Sequence, residues 1–358
     1  MGSLCLRPGG EIYGQIERPR TINPTAQPER GRYVLVGGPG QGKSTLAQFL
    51  CQIHRASLLK DQKRLDSDVK QFVKSILDKC VFQQLPCGMA KRFPVRIELA
   101  RFAKALSSHA ESKVTSVLSY VVSLIKDKTD YEILVENLRI WLEKYPWLMV
   151  LDGLDEVPAS SNRNQVLTAV RDFLVDISTC NADVLVIATT RPQGYNEEFS
   201  PQRYQHRWLA PLSVCRALYY GQTLIELTYA NNSQRKKEIL SRLKNAVETP
   251  AAAKLMESPL QVTIMARLLA QVAQPPQERY RLFQQYYKVI YRREMERGVE
   301  KLSKLLQDHE ANVDTIHRRT GLLLQIESER THHTDATISI EDFKTIVSDR
   351  LRDEGYSG

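Results

Sequence analysis

The sequence predicts an α/β fold, a parallel β-sheet with helices on both faces, followed by a helical domain and a smaller C-terminal region. Three observations carry this expectation. Short apolar runs alternate with helix-periodic segments from residue 30 to about 210. The run Trp147-Leu148-Met149-Val150-Leu151 is apolar throughout, and Asp183-Val184-Leu185-Val186-Ile187-Ala188 nearly so, as strands buried on both faces are. Beyond about residue 211 the strand patterns stop and helical periodicity takes over.

In chain order, residues 1–29 hold Pro8, Pro19, Pro24 and Pro28 without periodicity and read as a linker or domain remnant. Within 30–210, strands are expected near 32–36, 94–99, 147–151 and 183–189, with a shorter one near Trp208-Leu209. Helices are expected near 43–54, 66–79, 112–125, 131–144 and 164–178. A helical domain spans 211–298, with helices at 236–246, 251–273 and 277–297; Pro275-Pro276 makes the last break. Residues 299–358 are helical and charged. There Ser339-Ile340-Glu341-Asp342 reads as a capping box, opening a helix whose apolar face is Phe343, Ile346, Val347 and Leu351.

Between the first strand and the first helix lies Gly37-Gly38-Pro39-Gly40-Gln41-Gly42-Lys43-Ser44-Thr45, a full match to G-x-x-x-x-G-K-[ST]. Glycines let the backbone curl so that successive N–H groups point at phosphate oxygens. Lys43 supplies a mobile cation for the β- and γ-phosphates, and the Ser44 hydroxyl a ligand for Mg²⁺. The positive end of the following helix faces the same anion. Lys43 is expected to face solvent when no nucleotide is bound.

The acidic run Asp152-Gly153-Leu154-Asp155-Glu156 begins at the carboxyl end of a buried-type strand, the edge where open α/β sheets bind ligands. Asp152 is the candidate Mg²⁺ partner. Asp155 and Glu156 are candidates to orient or deprotonate an attacking water, with helix capping as the rival role. The next buried-type strand ends in Thr189-Thr190-Arg191-Pro192. Arg191 could reach a γ-phosphate, or could pair with a nearby acid instead.

Together, the glycine loop, Leu151-Asp152-Gly153-Leu154-Asp155-Glu156-Val157-Pro158 and Thr190-Arg191-Pro192-Gln193-Gly194-Tyr195 resemble the NACHT-type NTPases of the STAND class. Phe93-Pro94-Val95-Arg96-Ile97-Glu98-Leu99 resembles the strand between the first two motifs. Glu257-Ser258-Pro259-Leu260-Gln261-Val262-Thr263-Ile264-Met265 resembles the family's helical-domain segment, whose proline lies near the adenine. The resemblance spans about residues 30–300. It implies a P-loop NTPase sheet with an extra strand between the glycine-loop strand and the acidic strand, a Pro259 contact to nucleotide, ATP/ADP and Mg²⁺ as ligands, and self-association on switching from ADP to ATP. It also reads 299–358 as a partial winged-helix region, lacking the late histidine motif and the hairpin. Against the family pattern, an N-terminal effector and a C-terminal sensor are expected to be missing. Bacterial members of the family often serve antiviral defence, and animal members innate immunity.

The 358 residues, 42% hydrophobic and 25% charged, suit two or three globular domains rather than a disordered chain. A net charge of +9 permits attraction to nucleic acid, but the basic residues are interspersed with acids, as in Tyr291-Arg292-Arg293-Glu294-Met295-Glu296-Arg297. With no stacking platform, a nucleic-acid-dependent motor is the weakest of the readings weighed. The six cysteines, Cys5, Cys51, Cys80, Cys87, Cys180 and Cys215, show no zinc spacing and read as reduced thiols; His332-His333 reads as a surface pair. No signal peptide is evident, and the most apolar stretch, Val114–Ile125, is too short for a bilayer. The chain is therefore expected to be a cytoplasmic, slowly hydrolysing ATP switch with no membrane partner. A nucleotide-stabilised scaffold without turnover is the alternative, and effector and sensor partners are not readable.

Overall fold

The structure is a computed structural model, and it describes residues 31–82, 91–107, 114–129, 131–157, 162–193, 195–272, 279–296, 300–331 and 338–356. The expected 1–29 linker, the start of the helix expected at 112, Pro275-Pro276, His332-His333, Cys5, Cys87, Pro158 and Gly194 lie outside the described residues.

Five strands, β1 (Arg32–Val36), β2 (Phe93–Glu98), β3 (Trp147–Asp152), β4 (Val184–Thr190) and β5 (Gln205–Trp208), form one sheet in the order β2-β3-β4-β1-β5. Every pairing is parallel. As expected, β4 lies between the glycine-loop strand β1 and the acidic strand β3. The chain therefore leaves β1 toward one edge and leaves β4 toward the other. Such a reversal opens a crevice at the carboxyl ends of β1 and β4.

The period-2 alternation of β1, β3 and β4 divides their side chains between two apolar layers. On one face, Val34, Val36, Ile97, Met149, Leu151, Val186 and Ala188 pack with Leu99 and Phe102 of α3 (Leu99–Ser107), Val117 and Val121 of α4 (Val117–Lys128), Leu138 and Leu142 of α5 (Val135–Lys144), and Val166, Val170 and Phe173 of α6 (Arg163–Thr179). On the other face, Tyr33, Leu35, Leu148, Val150 and Ile187 pack with Leu46, Ala47, Leu50 and Cys51 of α1 (Lys43–Leu59). The helix α2 (Ser67–Phe82) follows α1; the Asp66 carboxylate accepts the Asp68 N–H at 2.8 Å just ahead of its first turn.

Several boundaries shift for local reasons. The helix α3 was not anticipated, because β2 runs into it at Leu99 with no capping residue between; its apolar Leu99, Phe102, Ala103 and Leu106 nevertheless carry helical spacing. The helix expected from 112 begins at Val117 instead, since the Ser116 hydroxyl accepts the Ser119 N–H and the Ser119 hydroxyl accepts the Ser116 N–H.

At the amino ends of the strands, Arg92 and Asp183 form a buried ion pair at 2.8 Å. Arg92 Nη1 also donates to the Trp147 carbonyl at 3.2 Å, so one guanidinium joins the entries to β2, β3 and β4.

The chain divides into two compact units. One runs through Ala217 and includes Met256–Gln261; the other comprises Leu218–Leu255 and the residues from Val262 onward. The second is helical: most of α7 (Val214–Thr228), α8 (Ser233–Val247), α9 (Pro250–Lys254), most of α10 (Pro259–Gln271), α11 (Arg279–Glu296), α12 (Glu300–Asp308), α13 (Glu310–Thr331) and α14 (Ile340–Asp353). The single helix expected over 251–273 is two, because a proline at 259 starts a helix rather than continuing one. Gly221 lets α7 approach α8: a Cβ there would lie 2.7 Å from Leu243 Cδ2. Arg242 donates to the Leu269 and Val272 carbonyls at 2.9 and 3.3 Å, satisfying acceptors left open at the end of α10. Ser339 caps α14 as expected, accepting the Asp342 N–H at 3.0 Å. Among the described residues no helix is long and apolar enough to cross a membrane.

The Arg92 pair yields a stability prediction. Arg92→Met removes the cation and leaves the Asp183 carboxylate in its buried place, a change worth about 3–5 kcal/mol in comparable pairs. Urea unfolding of the sheet unit should show a loss of that order, and a loss under about 1 kcal/mol would mean the pair is weak.

Candidate nucleotide-phosphate site

The glycine loop joins β1 to α1 at the sheet crevice. Its start is pinned to the neighbouring strand by Gly37 N–H donating to the Thr190 carbonyl at 3.1 Å. Gly40 and Gly42 have φ of 72° and 89°, the left-handed region that only glycine enters freely, and Gly42 is the N-cap of α1. Inside the loop, Gly38 N–H donates to Gln41 Oε1 at 2.6 Å.

Lys43 corrects an expectation. It is half-buried rather than solvent-facing, and its Nζ donates to the Gly37 carbonyl at 2.7 Å and the Gly38 carbonyl at 3.2 Å. A cation over a curl of carbonyls is held where two acceptors converge. Burial lowers its pKa below the ordinary lysine value, with Asp155 opposing that shift.

Ser44 Oγ donates to Asp152 Oδ1 at 3.1 Å. Asp152 ends β3 and is buried, 3% exposed, so its charge needs partners. Thr189 Oγ1 donates to Oδ1 at 2.6 Å; Arg96 donates to Oδ2 through Nε at 3.0 Å and Nη2 at 2.6 Å. Thr189 Oγ1 in turn accepts the Gly153 N–H at 2.8 Å.

After Gly153 the chain makes one 3₁₀ turn, Leu154–Glu156. Leu154 and Val157 are fully buried in the large apolar layer and anchor the turn, leaving Asp155 and Glu156 at the sheet edge. Neither acid caps α6, whose N-cap is Asn162. Asp155 Oδ2 pairs with Arg191 Nε at 2.7 Å. The Glu156 N–H donates to the Gly153 carbonyl at 3.1 Å, but its carboxylate has no hydrogen bond or ion pair among the described residues. Burial raises its pKa above the ordinary glutamate value, with Asp155 and then Asp152 adding to the shift.

Pro259 reaches the loop. The segment Met256–Gln261 belongs to the same compact unit as the sheet. Leu260 N–H donates to the Gly40 carbonyl at 3.2 Å, and Pro259 Cγ lies 3.8 Å from where a Gly42 Cβ would stand. Pro39 and Thr45 are exposed on the loop and on the first turn of α1.

Sequence reasoning thus placed Gly37–Ser44, Asp152, Asp155, Glu156, Arg191 and Pro259 around one crevice. It missed three contributors: Arg96, Thr189 and Leu260. An arginine inside the apolar run Val95-Arg96-Ile97 does signal a buried acid nearby, but the sequence does not say which one.

Among the described residues no group of three or more His, Cys, Asp or Glu could hold a metal ion by itself. Ser44 Oγ and Asp152 Oδ1 offer two oxygen donors, a sparse set that suits Mg²⁺, which keeps waters and takes phosphate oxygens to complete its shell. The residues therefore fit that ion.

No family model matches the chain, and no curated protein does. Among solved structures, the Aeropyrum pernix Orc1 protein in complex with DNA is similar over 91% of this chain and 78% of its own, at 12% identity and a TM-score of 0.37. C. elegans PCH-2 is similar over 73% of this chain and 61% of its own, at 11% identity and a TM-score of 0.36. The FIGL-1 AAA domain in complex with ADP is similar over 66% of this chain and 72% of its own, at 15% identity and a TM-score of 0.28. Likenesses this distant carry no information about activity. Strand order, the loop after β1 and the Ser44–Asp152 contact are by themselves those of a P-loop NTPase fold.

The loop contact is testable. A Cβ on Gly40 would stand 2.5 Å from Leu260 Cβ, and the φ of 72° would strain it as well. Gly40→Ala should destabilise by about 1–2 kcal/mol from the backbone alone, and more from the clash. Adding Leu260→Gly, which removes the leucine Cβ together with the Cδ2 that would stand at 2.7 Å, should recover part of the loss in thermal unfolding. Simple additivity of the two changes would show that the contact is not formed.

Proposed function

We propose that this chain is an Mg²⁺-dependent ATP-binding switch that hydrolyses ATP slowly and self-associates, of the NACHT/STAND signalling kind, with defence as its setting and the cytoplasm as its place. The observation that carries the reading is the Ser44–Asp152 contact at 3.1 Å, set at the head of α1 beside Lys43 and the glycine loop. Binding would take Lys43 from the Gly37 and Gly38 carbonyls to phosphate oxygens, an exchange of acceptors rather than a new exposed charge. Residues 30–210 would be the NTPase core, 211–298 the helical domain and 299–358 a partial winged-helix region, with Pro259 a contact to the nucleotide.

For hydrolysis the protein supplies position and charge more than covalent chemistry. Ser44 and Asp152 would hold Mg²⁺, which when bound neutralises charge on the β- and γ-phosphates. Glu156 is the better candidate to orient or deprotonate the attacking water, because Asp155 is committed to Arg191. Its pKa is raised by burial, the direction that favours accepting a proton from water.

The Arg191–Asp155 pair supports a nucleotide-sensing role for Arg191. A γ-phosphate would compete with Asp155 for the guanidinium, so ATP and ADP would leave it in different places. One exchange is not a full switch. Moving a population from about 1:99 to 99:1 takes about 5.5 kcal/mol of differential binding, whereas one charge-assisted contact gives about 1.5–3 kcal/mol. Lys43, Mg²⁺ and Arg191 would have to respond together. The same pair also favours the second reading, a nucleotide-stabilised scaffold with little turnover, since it removes one of two candidate acids from water. Single-turnover hydrolysis separates the two.

Calorimetry with ATP and ADP tests the leading reading. Lys43→Ala should weaken binding by about 100-fold or more, as loss of a charge-assisted phosphate contact does. Equal affinity in both proteins would overturn nucleotide binding at this loop. Among the acids, Glu156→Gln should keep Mg-ATP binding and slow turnover by about 10²-fold or more. Asp155→Asn should release Arg191 to a γ-phosphate without that competition and widen the difference between ATP and ADP affinities in favour of ATP. Loss of all nucleotide binding in either variant would instead make that acid structural.

A further inference from the structure

Arg96 stands on β2, outside the glycine loop, the Asp152–Glu156 run and the end of β4, yet its guanidinium pairs with Asp152 at 2.6 Å. Two of its N–H groups converge on one oxygen, Oδ2, at 2.6 and 3.0 Å, while Nη1 donates to Glu98 Oε1 at 2.8 Å. Glu98 is held from its other side by Arg101 Nε at 2.7 Å. The result is a chain of alternating charge, Asp152–Arg96–Glu98–Arg101, running from the buried end of β3 to solvent. Holding phosphates requires none of it.

We propose that Arg96 is a positioning residue for the phosphate site, fixing the Asp152 carboxylate by one oxygen and offsetting its charge, so that nucleotide binding depends less on Mg²⁺. The inference rests on the nucleotide-binding reading above. It follows from two features of the geometry. Arg96 on Oδ2 opposes Ser44 and Thr189 on Oδ1, so the carboxylate cannot turn, and Oδ1 stays beside Ser44. Asp152 is 3% exposed, so water does little to screen it. An uncompensated carboxylate at that depth would repel a polyphosphate anion on the adjacent loop. Arg96 removes most of that repulsion before any metal arrives. Mg²⁺ and Arg96 therefore offset the same charge, and their contributions overlap.

The overlap gives a signature that a purely structural arginine lacks. ADP dissociation constants are measured by calorimetry in EDTA and in saturating Mg²⁺ for the wild type, Arg96→Gln and Arg96→Lys. In Arg96→Gln the ratio of the metal-free to the Mg²⁺ constant should rise about tenfold, chiefly through weaker metal-free binding, and in Arg96→Lys it should return to within about threefold of wild type. An unchanged ratio in Arg96→Gln, with affinity or stability merely lower, overturns the proposal. Should Arg96→Gln fail to fold, Glu98→Gln takes its place: it removes the acid that shares Arg96 with Asp152, so the guanidinium offsets Asp152 more fully. The ratio of the metal-free to the Mg²⁺ constant should then fall about threefold, and an unchanged or higher ratio overturns the proposal. Failure of the wild type to bind ADP under either condition is a different result, and it removes the nucleotide-binding reading itself.

Discussion

The buried carboxylate of Asp152 is the constraint on which the site depends. A charge at 3% exposure is tolerated only when its oxygens are met by donors. Here the donors come from three separate elements: Arg96 from β2, Thr189 from β4 and Ser44 from α1. Satisfying one side chain therefore fixes the relative register of two strands and the first turn of a helix. The glycine loop is positioned from both ends by the same arrangement, because β1 pairs with β4 and α1 carries Ser44. Apolar packing gives the sheet its stability, and the carboxylate gives the crevice its shape.

That division explains what the sequence disclosed. The sheet was legible because burial on both faces demands continuous apolar runs, and β1, β3 and β4 have them. The loop was legible because its backbone conformation restricts residue type, as the φ of 72° at Gly40 does. Asp152 stood out as an acid closing an apolar strand. The helix α3 escaped notice because it follows β2 without a cap, leaving no punctuation to read. The break between α9 and α10 was visible in principle at Pro259, but an apolar pattern continuing on both sides masked it.

The partners of the site residues were a different matter. Two acids and one arginine near a strand end allow several pairings, and sequence separation does not rank them. Asp155 takes Arg191 because the 3₁₀ turn, anchored by Leu154, turns it toward the end of β4. Glu156, one residue on, has no such partner among the described residues. Lys43 was expected in solvent because a mobile cation is usually hydrated; the loop offers it two carbonyls at close range instead. Contacts of this kind depend on distances of a few tenths of an ångström between remote segments, which no one-dimensional pattern records.

The three cations nearest the crevice share a property that bears on how it would respond to an anion. Lys43 is engaged by loop carbonyls, Arg96 by Asp152 and Glu98, and Arg191 by Asp155. None stands ready without cost. An incoming phosphate must take Lys43 or Arg191 from an internal acceptor, so each contact contributes a difference between two hydrogen-bonded states rather than a full bond. Differences of that kind are small singly, and they become decisive only if coupled. The coupling path is visible in the fold. Lys43 and Ser44 are neighbours on α1, Ser44 meets Asp152, Asp152 meets Thr189, and Thr189 lies two residues before Arg191 on the same strand end. A charge that displaces Lys43 therefore acts on atoms joined to the strand end that carries Arg191, and the crevice can respond as a unit where any one contact would be too weak.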